Sequence, residues 1–214
     1  MQKSLKNIYE LHHKEQRGDG FSILEKERGD IFSLYIGSGK KVLDIGCRDG
    51  ALTKYFVPGN SVVGADIDEL SLDRARKNLG IETALLDLNG DWDELNGKTF
   101  DTIVAGEIIE HLYYPERVIQ RVVALLSANG SFVGSVPNAF SLKNRIRLFL
   151  GNKKNTSLED PTHINHFSLG ELNHLLLQYF TKVRIIGLGR FKFLAQWFPG
   201  LFAFDLVFIA DRKK

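Results

Sequence analysis

The groups of this chain best placed for chemistry stand at the ends of short apolar runs. The sharpest is Val42-Leu43-Asp44-Ile45-Gly46-Cys47-Arg48-Asp49-Gly50, an apolar run that enters a loop with two glycines. Gly46 lets the backbone turn sharply and approach a ligand closely. A helix expected from about Ala51 would offer free N–H groups and a positive dipole end to an anion such as a carboxylate. Twenty residues after Gly46, the run Val62-Val63-Gly64-Ala65 ends in Asp66, and a carboxylate there can accept two hydrogen bonds from a vicinal diol. Asp87 closes a third run and can accept from an adenine amino group; Gly106-Glu107 closes a fourth. Taken singly, each piece has a plain reading. A glycine after a strand is a turn, and Asp66 with Asp68 is a cap pair for the next helix. The order and spacing together point to a nucleotide-like ligand on the carboxyl edge of a parallel sheet.

The ligand's type is narrowed by what the loop lacks. A dinucleotide fingerprint needs glycine where this chain has Arg48 and Ala51, so NAD fits poorly. A Gly-Lys-Ser/Thr phosphate loop is absent as well, which demotes ATP and GTP. Cys47 is the single cysteine of 214 residues, which excludes an internal disulfide framework and any multi-cysteine metal site.

These groups need a scaffold, and the apolar pattern supplies one. Lys41–Ile45, Ser61–Ala65, Thr83–Leu86, Phe100–Ala105 and Ser131–Val136 read as buried strands, with Val183–Gly187 and Leu206–Ala210 closing. Leu52–Phe56, Leu70–Asn78, Pro115–Leu126 and Leu169–Tyr179 read as helices. Buried strands alternating with helices make βα units and a parallel sheet covered on both faces. The expected fold is α/β: a three-layer, Rossmann-like, seven-stranded, mostly parallel sheet with helices on both faces. A single domain over residues 1–214 is expected, with a helical leader over 1–39 and an insertion over 138–167 before the last strands. The length suits one medium domain. Apolar residues are 43% and charged residues 25%, an ordinary globular balance. A net charge of +2 lacks the basic excess of a dedicated nucleic-acid binder. Without a signal-peptide or membrane-spanning run, the expected location is cytoplasmic.

With these motifs in order, the chain resembles class I S-adenosylmethionine-dependent methyltransferases of the methyltransferase-11/23 type. Val42–Gly50 matches that family's first motif, Val63–Asp66 the second and Leu85–Leu88 the third. Phe100–Leu112 is similar to the fourth, and Leu125–Phe132 to the helix-to-strand turn that follows. Val136-Pro137-Asn138, Asn144-Arg145 and His163–Phe167 carry a narrower likeness to ubiquinone-biosynthesis O-methyltransferases, MetW-like proteins and polysaccharide-cluster enzymes. The likeness covers about residues 25–190 and departs at Arg48, where the family commonly has glycine. It implies S-adenosylmethionine as cofactor and an antiparallel last strand. Gly46, Cys47 and Gly50 would pass the methionine portion, with Asp44 near its amino group and Glu107 lining the same side. Asp66 would hold the ribose, Ile67 would pack on the adenine, and Asp87 with the Leu88 backbone would face the adenine amine. Arg28 would pair with the cofactor carboxylate, or else be a solvated helix charge.

The resemblance implies methyl transfer to a small-molecule acceptor, with a sugar or glycan hydroxyl the leading expectation. A cofactor-binding regulatory partner and an RNA methyltransferase are the alternatives. An alcohol gains from a base titrating near neutrality. His111, past the fourth strand, and His163 and His166, past the insertion, are the candidate catalytic bases. His111 reads equally well as a ring fixing its loop. A metal held by these histidines with Glu107 or Asp160 is the minor reading, and metal-free transfer is expected. His12 and His13 read as surface residues. In the insertion, Lys143, Arg145, Arg147, Lys153 and Lys154 interleave with apolar residues, either as a solvated basic face or as a strip for an anionic lipid or phosphate-bearing acceptor. Phe191, Trp197 and Phe198 read as an exposed patch, and Phe204 and Phe208 as core. The expected partners are therefore the acceptor and, peripherally, a membrane or lipid-linked substrate, with nucleic acid not expected; the oligomeric state is not read from the sequence.

Overall fold

The computed structural model describes residues 20 and 22–214. The expected leader helices before Gly20, with His12 and His13, lie outside the described residues. Two compact units divide the chain, one up to Val104 and one from Ala105.

In the first unit, helix α1 (Glu25–Ile36) precedes strand β1 (Lys41–Ile45). Val42 to Ile45 are all buried, as expected of a strand covered on both faces. Strand β2 (Ser61–Asp66) pairs parallel with β1 from Lys41 opposite Ser61 to Ile45 opposite Ala65. Strand β3 (Glu82–Leu85) pairs parallel with β2. Strand β4 (Phe100–Gly106) takes the other side of β1, with Asp44 opposite Val104. Helix α2 (Glu69–Leu79) starts where Asp68 accepts from the N–H groups of Leu70 and Ser71, and stops at left-handed Gly80, the N-cap and C′ signals of a regular helix.

The helix expected over Leu52–Phe56 is a single 3-10 turn, Thr53–Tyr55. Pro58 and Gly59 close that segment within a few residues of Gly50, too little length for propagation to offset helix nucleation. The loop after β1 therefore has no helix dipole behind it, contrary to the expectation.

In the second unit, helix α3 (Pro115–Leu125) has proline in its first turn and buries Val118, Ile119 and Val122 at helical spacing. The expected turn over Leu125–Phe132 is absent. The chain leaves α3 at Leu126 already extended, with φ −71° and ψ 140°, and runs as strand β5 (Leu126–Pro137). Helix α4 (Leu142–Phe149) follows, then a 3-10 turn at Ser157–Glu159. Helix α5 (Leu169–Leu177) opens with a capping box of Ser168 and Glu171. Strand β6 (Phe180–Leu188), helices α6 (Lys192–Trp197) and α7 (Pro199–Phe202), and strand β7 (Asp205–Lys213) complete the unit.

β7 is antiparallel to β5 and to β6, and Phe132 lies between the rings of Phe180 and Phe208 at 6.1 and 5.0 Å. Among the described residues the strand order is β3-β2-β1-β4-β5-β7-β6. This is the mostly parallel seven-stranded sheet with an antiparallel last strand that the motif order predicts.

The start of the expected insertion is fixed by two asparagines. Asn138 Nδ2 donates to the Ala203 carbonyl at 3.0 Å, and Asn144 Nδ2 to the carbonyls of Asn138 and Ala139 at 3.1 Å each. Phe208 is buried as expected, but Phe204 precedes β7 and is 52% exposed, so the alternation that made it core does not extend to it.

Candidate active site

In the first unit the loop after β1 is shaped by three residues in the left-handed region: Gly46 (φ 75°), Arg48 (φ 51°) and Gly50 (φ 84°). That conformation costs an L side chain about 1–2 kcal/mol, so Arg48 holds a backbone geometry that glycine fills more easily. This explains the family's glycine there in physical terms. The loop is tied to β2 in two ways. Gly46 and Cys47 N–H groups donate to the Ala65 carbonyl, and Arg48 N–H donates 2.9 Å to Asp66 Oδ2. Asp66 Oδ1 accepts from Asp68 N–H at 2.9 Å. The cap expected of an Asp66–Asp68 pair is thus made by Asp68 alone, and Asp66 serves the loop.

A carboxylate has about four acceptor positions, so its backbone donors leave Asp66 capacity for a ribose hydroxyl. The glycine loop and this buried carboxylate fit an adenosine-bearing cofactor. Burial pushes the Asp66 carboxyl up, against its N–H donors. Asp44 is buried and accepts from Thr53 Oγ1 at 2.7 Å; burial pushes its carboxyl up to about 7, so an adjacent ammonium would favour its ionised form. Burial, with the charges of Asp44 and Asp66, raises the Cys47 thiol, which makes it an inert packing group rather than a nucleophile.

Ile67 is half-buried. Asp87 sits two residues past β3, not at its last residue, and its Oδ1 accepts from Asn89 N–H at 2.9 Å; Leu88 beside it is half-buried. Arg28 is 1% exposed, which overturns the solvated reading. Its Nε donates to the Ile23 carbonyl at 2.8 Å and its Nη2 to Ser22 Oγ at 2.6 Å. The arginine secures the entry to α1.

Two contributors escaped the sequence. Gly64, in mid-β2, faces the loop so closely that a Cβ would lie 2.7 Å from Cys47 Sγ; a lone glycine inside an apolar strand is the signal that could have found it. Thr53 was read only as a helix residue.

In the second unit, Glu107 follows β4 with φ 60°. Its N–H donates to the Ser135 carbonyl and its Oε1 accepts from Ser135 Oγ at 3.0 Å. A charged residue held in the left-handed region marks a position that its surroundings over-determine. His111 and His163 are brought together, with ring centroids 4.8 Å apart in an edge arrangement. His111 Nδ1 faces the Thr162 carbonyl at 2.9 Å, and His163 Nδ1 faces the Ser157 carbonyl at 2.9 Å. A carbonyl only accepts, so each Nδ1 that faces one carries hydrogen. Glu110 stands in the same cluster, with Oε1 3.9 Å from His111 Nε2. The sequence quoted Glu110 without a role. The carbonyl of Glu110 also accepts from the N–H groups of Ile164 and Asn165. His111 is thus tied through Nδ1 to the returning segment at Thr162. His166 is half-buried, and burial, then the neighbouring His163, lowers its basicity.

The comparisons with known proteins agree with this arrangement. The family model for a methyltransferase domain matches residues 22–179. The ubiquinone biosynthesis O-methyltransferase of Actinobacillus pleuropneumoniae serotype 7 is 33% identical over 122 residues, 53% of this chain and 52% of that protein. The mitochondrial enzyme of that name from Schizosaccharomyces pombe is 30% identical over 105 residues, 45% of this chain and 37% of its own. The matched stretch thus spans about half or less of these curated relatives. Two solved structures share the fold. A SAM-dependent methyltransferase from Archaeoglobus fulgidus has a TM-score of 0.68 at 19% identity, covering 95% of this chain and 99% of that one. The 1,6-didemethyltoxoflavin-N1-methyltransferase of Burkholderia thailandensis has a TM-score of 0.69 at 20% identity, covering 98% and 88%. With a family model over most of its length and the motif order realised on the sheet, the chain belongs to the methyltransferase-domain family.

Proposed function

We propose that this protein transfers the methyl group of S-adenosylmethionine to a hydroxyl of a small acceptor, a sugar or glycan by preference. The observation that carries the choice of oxygen is the pair of imidazoles at His111 and His163, ring centroids 4.8 Å apart and each with Nδ1 against a backbone carbonyl. A hydroxyl must lose its proton as it attacks carbon, and a fixed imidazole lone pair is suited to take it. The curated relatives carrying O-methyltransferase in their names point the same way.

When bound, the cofactor supplies a methyl group made electrophilic by its sulfonium. The chain's part is to hold and orient it. Asp66 accepts from the ribose hydroxyls, Ile67 covers the adenine, and Asp87 with the Leu88 backbone faces the adenine amine. The backbone of Gly46, Cys47 and Gly50 follows the methionine portion, and Asp44 takes its ammonium. Glu107, rigid at its left-handed position, lines the methionine side. His111, His163 or His166 receives the acceptor's proton. Arg28 would pair with the cofactor carboxylate.

The surface of the second unit supports a lipid-linked or membrane-borne acceptor. Leu142, Ile146, Phe149 and Leu150 are all exposed, at helical spacing along α4. Phe191, Phe193, Trp197 and Phe198 are exposed around α6. Lys143, Arg145, Lys153 and Lys154 stand beside the first set and are exposed. Apolar side chains rimmed by cations suit an anionic lipid surface. No helix among the described residues is long and apolar enough to cross a membrane.

The test is incubation with S-adenosylmethionine and a panel of sugars, lipid-linked glycans, phenols and amines, read by mass spectrometry. A single methyl gained on oxygen is expected. Methylation confined to amines or carbon would overturn the reading.

A further inference from the structure

The net charge of +2 conceals an asymmetry between the two units. The second carries 14 Lys and Arg against 8 Asp and Glu, and from Arg117 to Leu158 it has seven cations and no acid. A charge division of this kind points to a polyanionic surface as partner. We infer that the face built on α4 and the loop after it seats the chain on an anionic lipid bilayer, and that this seating steadies the loop that holds His163.

Helix α4 has its apolar side outward. At 3.6 residues per turn, Leu142, Ile146 and Phe149 fall within an arc of about 60°. All three are exposed, Phe149 at 90%, and Leu150 extends the stripe. The buried residue of the helix is Asn144, on the opposite side, where its Nδ2 donates to the Asn138 and Ala139 carbonyls. A surface helix of a globular domain does the reverse and buries its apolar stripe. An outward stripe is the pattern of a helix lying in a membrane interface.

Cations flank that stripe on both sides. Around the helix, Arg145 lies to one side of it, and Lys143 and Arg147 lie to the other. Lys143 Nζ donates to the Asn155 carbonyl at 3.3 Å and Arg147 Nη1 to the Lys154 carbonyl at 2.8 Å. These bonds fasten the loop with exposed Lys153 and Lys154 to the helix. Glu159, exposed in the same loop, is engaged by the Asn155 N–H at 2.6 Å. The loop runs on through Ser157, whose carbonyl faces His163 Nδ1 at 2.9 Å. Lipid phosphates bound by Lys153 and Lys154 would brace it from the outer side.

A second apolar set adjoins the first, since α4 and α6 each pack against α7. In α6, Phe193 and Trp197 have ring centroids 5.9 Å apart, and Trp197 is 68% exposed. An indole in such a place is suited to the headgroup level of a bilayer. Other occupants fit less well. A second copy of the chain would set the cations of one α4 against those of the other across a twofold axis. A nucleic acid would meet the cations and leave Ile146, Phe149 and Leu150 without apolar cover.

The seating itself does not rest on the methyl transfer proposed above. Its use does: a steadied His163 serves an acceptor borne by the same bilayer.

Trp197 reports the event, because the other tryptophan, Trp92, is buried. The full chain, without cofactor or acceptor, is titrated with vesicles of phosphatidylcholine, either pure or with one part in four of phosphatidylglycerol. With the anionic vesicles the emission should move to the blue, be quenched by brominated acyl chains, and weaken in high salt. Pure phosphatidylcholine should bind at least ~10-fold less tightly. Phe149→Ser should weaken binding ~10-fold or more, and Lys153→Gln with Lys154→Gln about 25-fold, both with unchanged circular dichroism. Backbone hydrogen exchange over residues 152–160 should slow on the anionic vesicles. The inference is overturned if the two vesicle types bind alike, if either variant binds as tightly as the parent, or if exchange over 152–160 does not change. It is equally overturned if single-stranded RNA gives the same blue shift, or if the chain dimerises without lipid and buries Trp197. Because neither cofactor nor acceptor is present, failure of methyl transfer leaves this result standing, and the reverse also holds.

Discussion

The N–H of Arg48 donates to Asp66 Oδ2 at 2.9 Å, so the carboxylate proposed to clasp the ribose also holds the loop proposed to pass the methionine. Cofactor affinity and loop stability are therefore coupled through one side chain. Asp66→Ala should lower thermal stability by about 1–3 kcal/mol, because two buried N–H donors lose their acceptor. It should also weaken S-adenosylhomocysteine binding about 10- to 100-fold by calorimetry. An unchanged affinity with lowered stability would remove the ribose role and leave only the loop role.

The tight seat of the loop on β2 makes a second prediction. Gly64→Ala puts a methyl 2.7 Å from Cys47 Sγ, and overpacking of this kind costs about 1–3 kcal/mol. Adding Cys47→Ala should recover most of that loss, since the sulfur is the atom struck. Chemical denaturation of the two single variants and the double variant measures the coupling, which is absent if the glycine matters for another reason.

Asp44 makes stability depend on pH. Its carboxyl is pushed up to about 7 by burial, from an ordinary 3.8. Between those values the folded protein binds the proton that the unfolded chain releases. This contribution is full below pH 4 and is lost as pH rises toward 7, by up to about 1.4 kcal/mol per pH unit. Asp44→Asn keeps an acceptor for Thr53 and removes the titration. Its melting temperature should exceed that of the parent at pH 8, and the gap should shrink as pH falls toward 4. A constant gap across that range would refute the shift.

The bases can be told apart by turnover. His111→Ala should reduce kcat about 100-fold or more, with S-adenosylhomocysteine affinity unchanged. His166 is made less basic first by burial and then by His163, so it stays neutral to a lower pH than a free imidazole. If His166 is the base, His166→Ala abolishes activity and the parent's acid limb lies below the ordinary histidine value of 6.5. Equal rates in both variants and the parent would end the general-base role of these two residues.

The seven strands were legible because each βα unit announces itself locally: an apolar run, a glycine or aspartate at its end, then helical spacing. Asp44, Gly46, Gly50 and Asp66 were found by the same local grammar. The pattern misled where local signals were weak or overridden. Ala51 to Phe56 carries helix-compatible residues but too few before Pro58 to make more than a turn. Ser127 to Gly130 looks like a turn, yet the extended exit of α3 takes it into β5. Phe204 alternates correctly with Phe208 but lies beyond the reach of the β7 pairing.

By itself the sequence determined the fold class, the nucleotide-type loop and the acid that follows it, because these depend on residues within a few positions of one another. The tertiary structure alone decided that Arg28 is buried, that Gly64 supports the loop, and that Glu110 and His111 meet His163. His111 and His163 are separated by a strand, two helices and a loop, and their rings lie 4.8 Å apart because the Thr162 carbonyl of the returning segment accepts from the His111 ring and the Glu110 carbonyl accepts from the N–H groups of Ile164 and Asn165. No periodicity encodes contacts made across that separation.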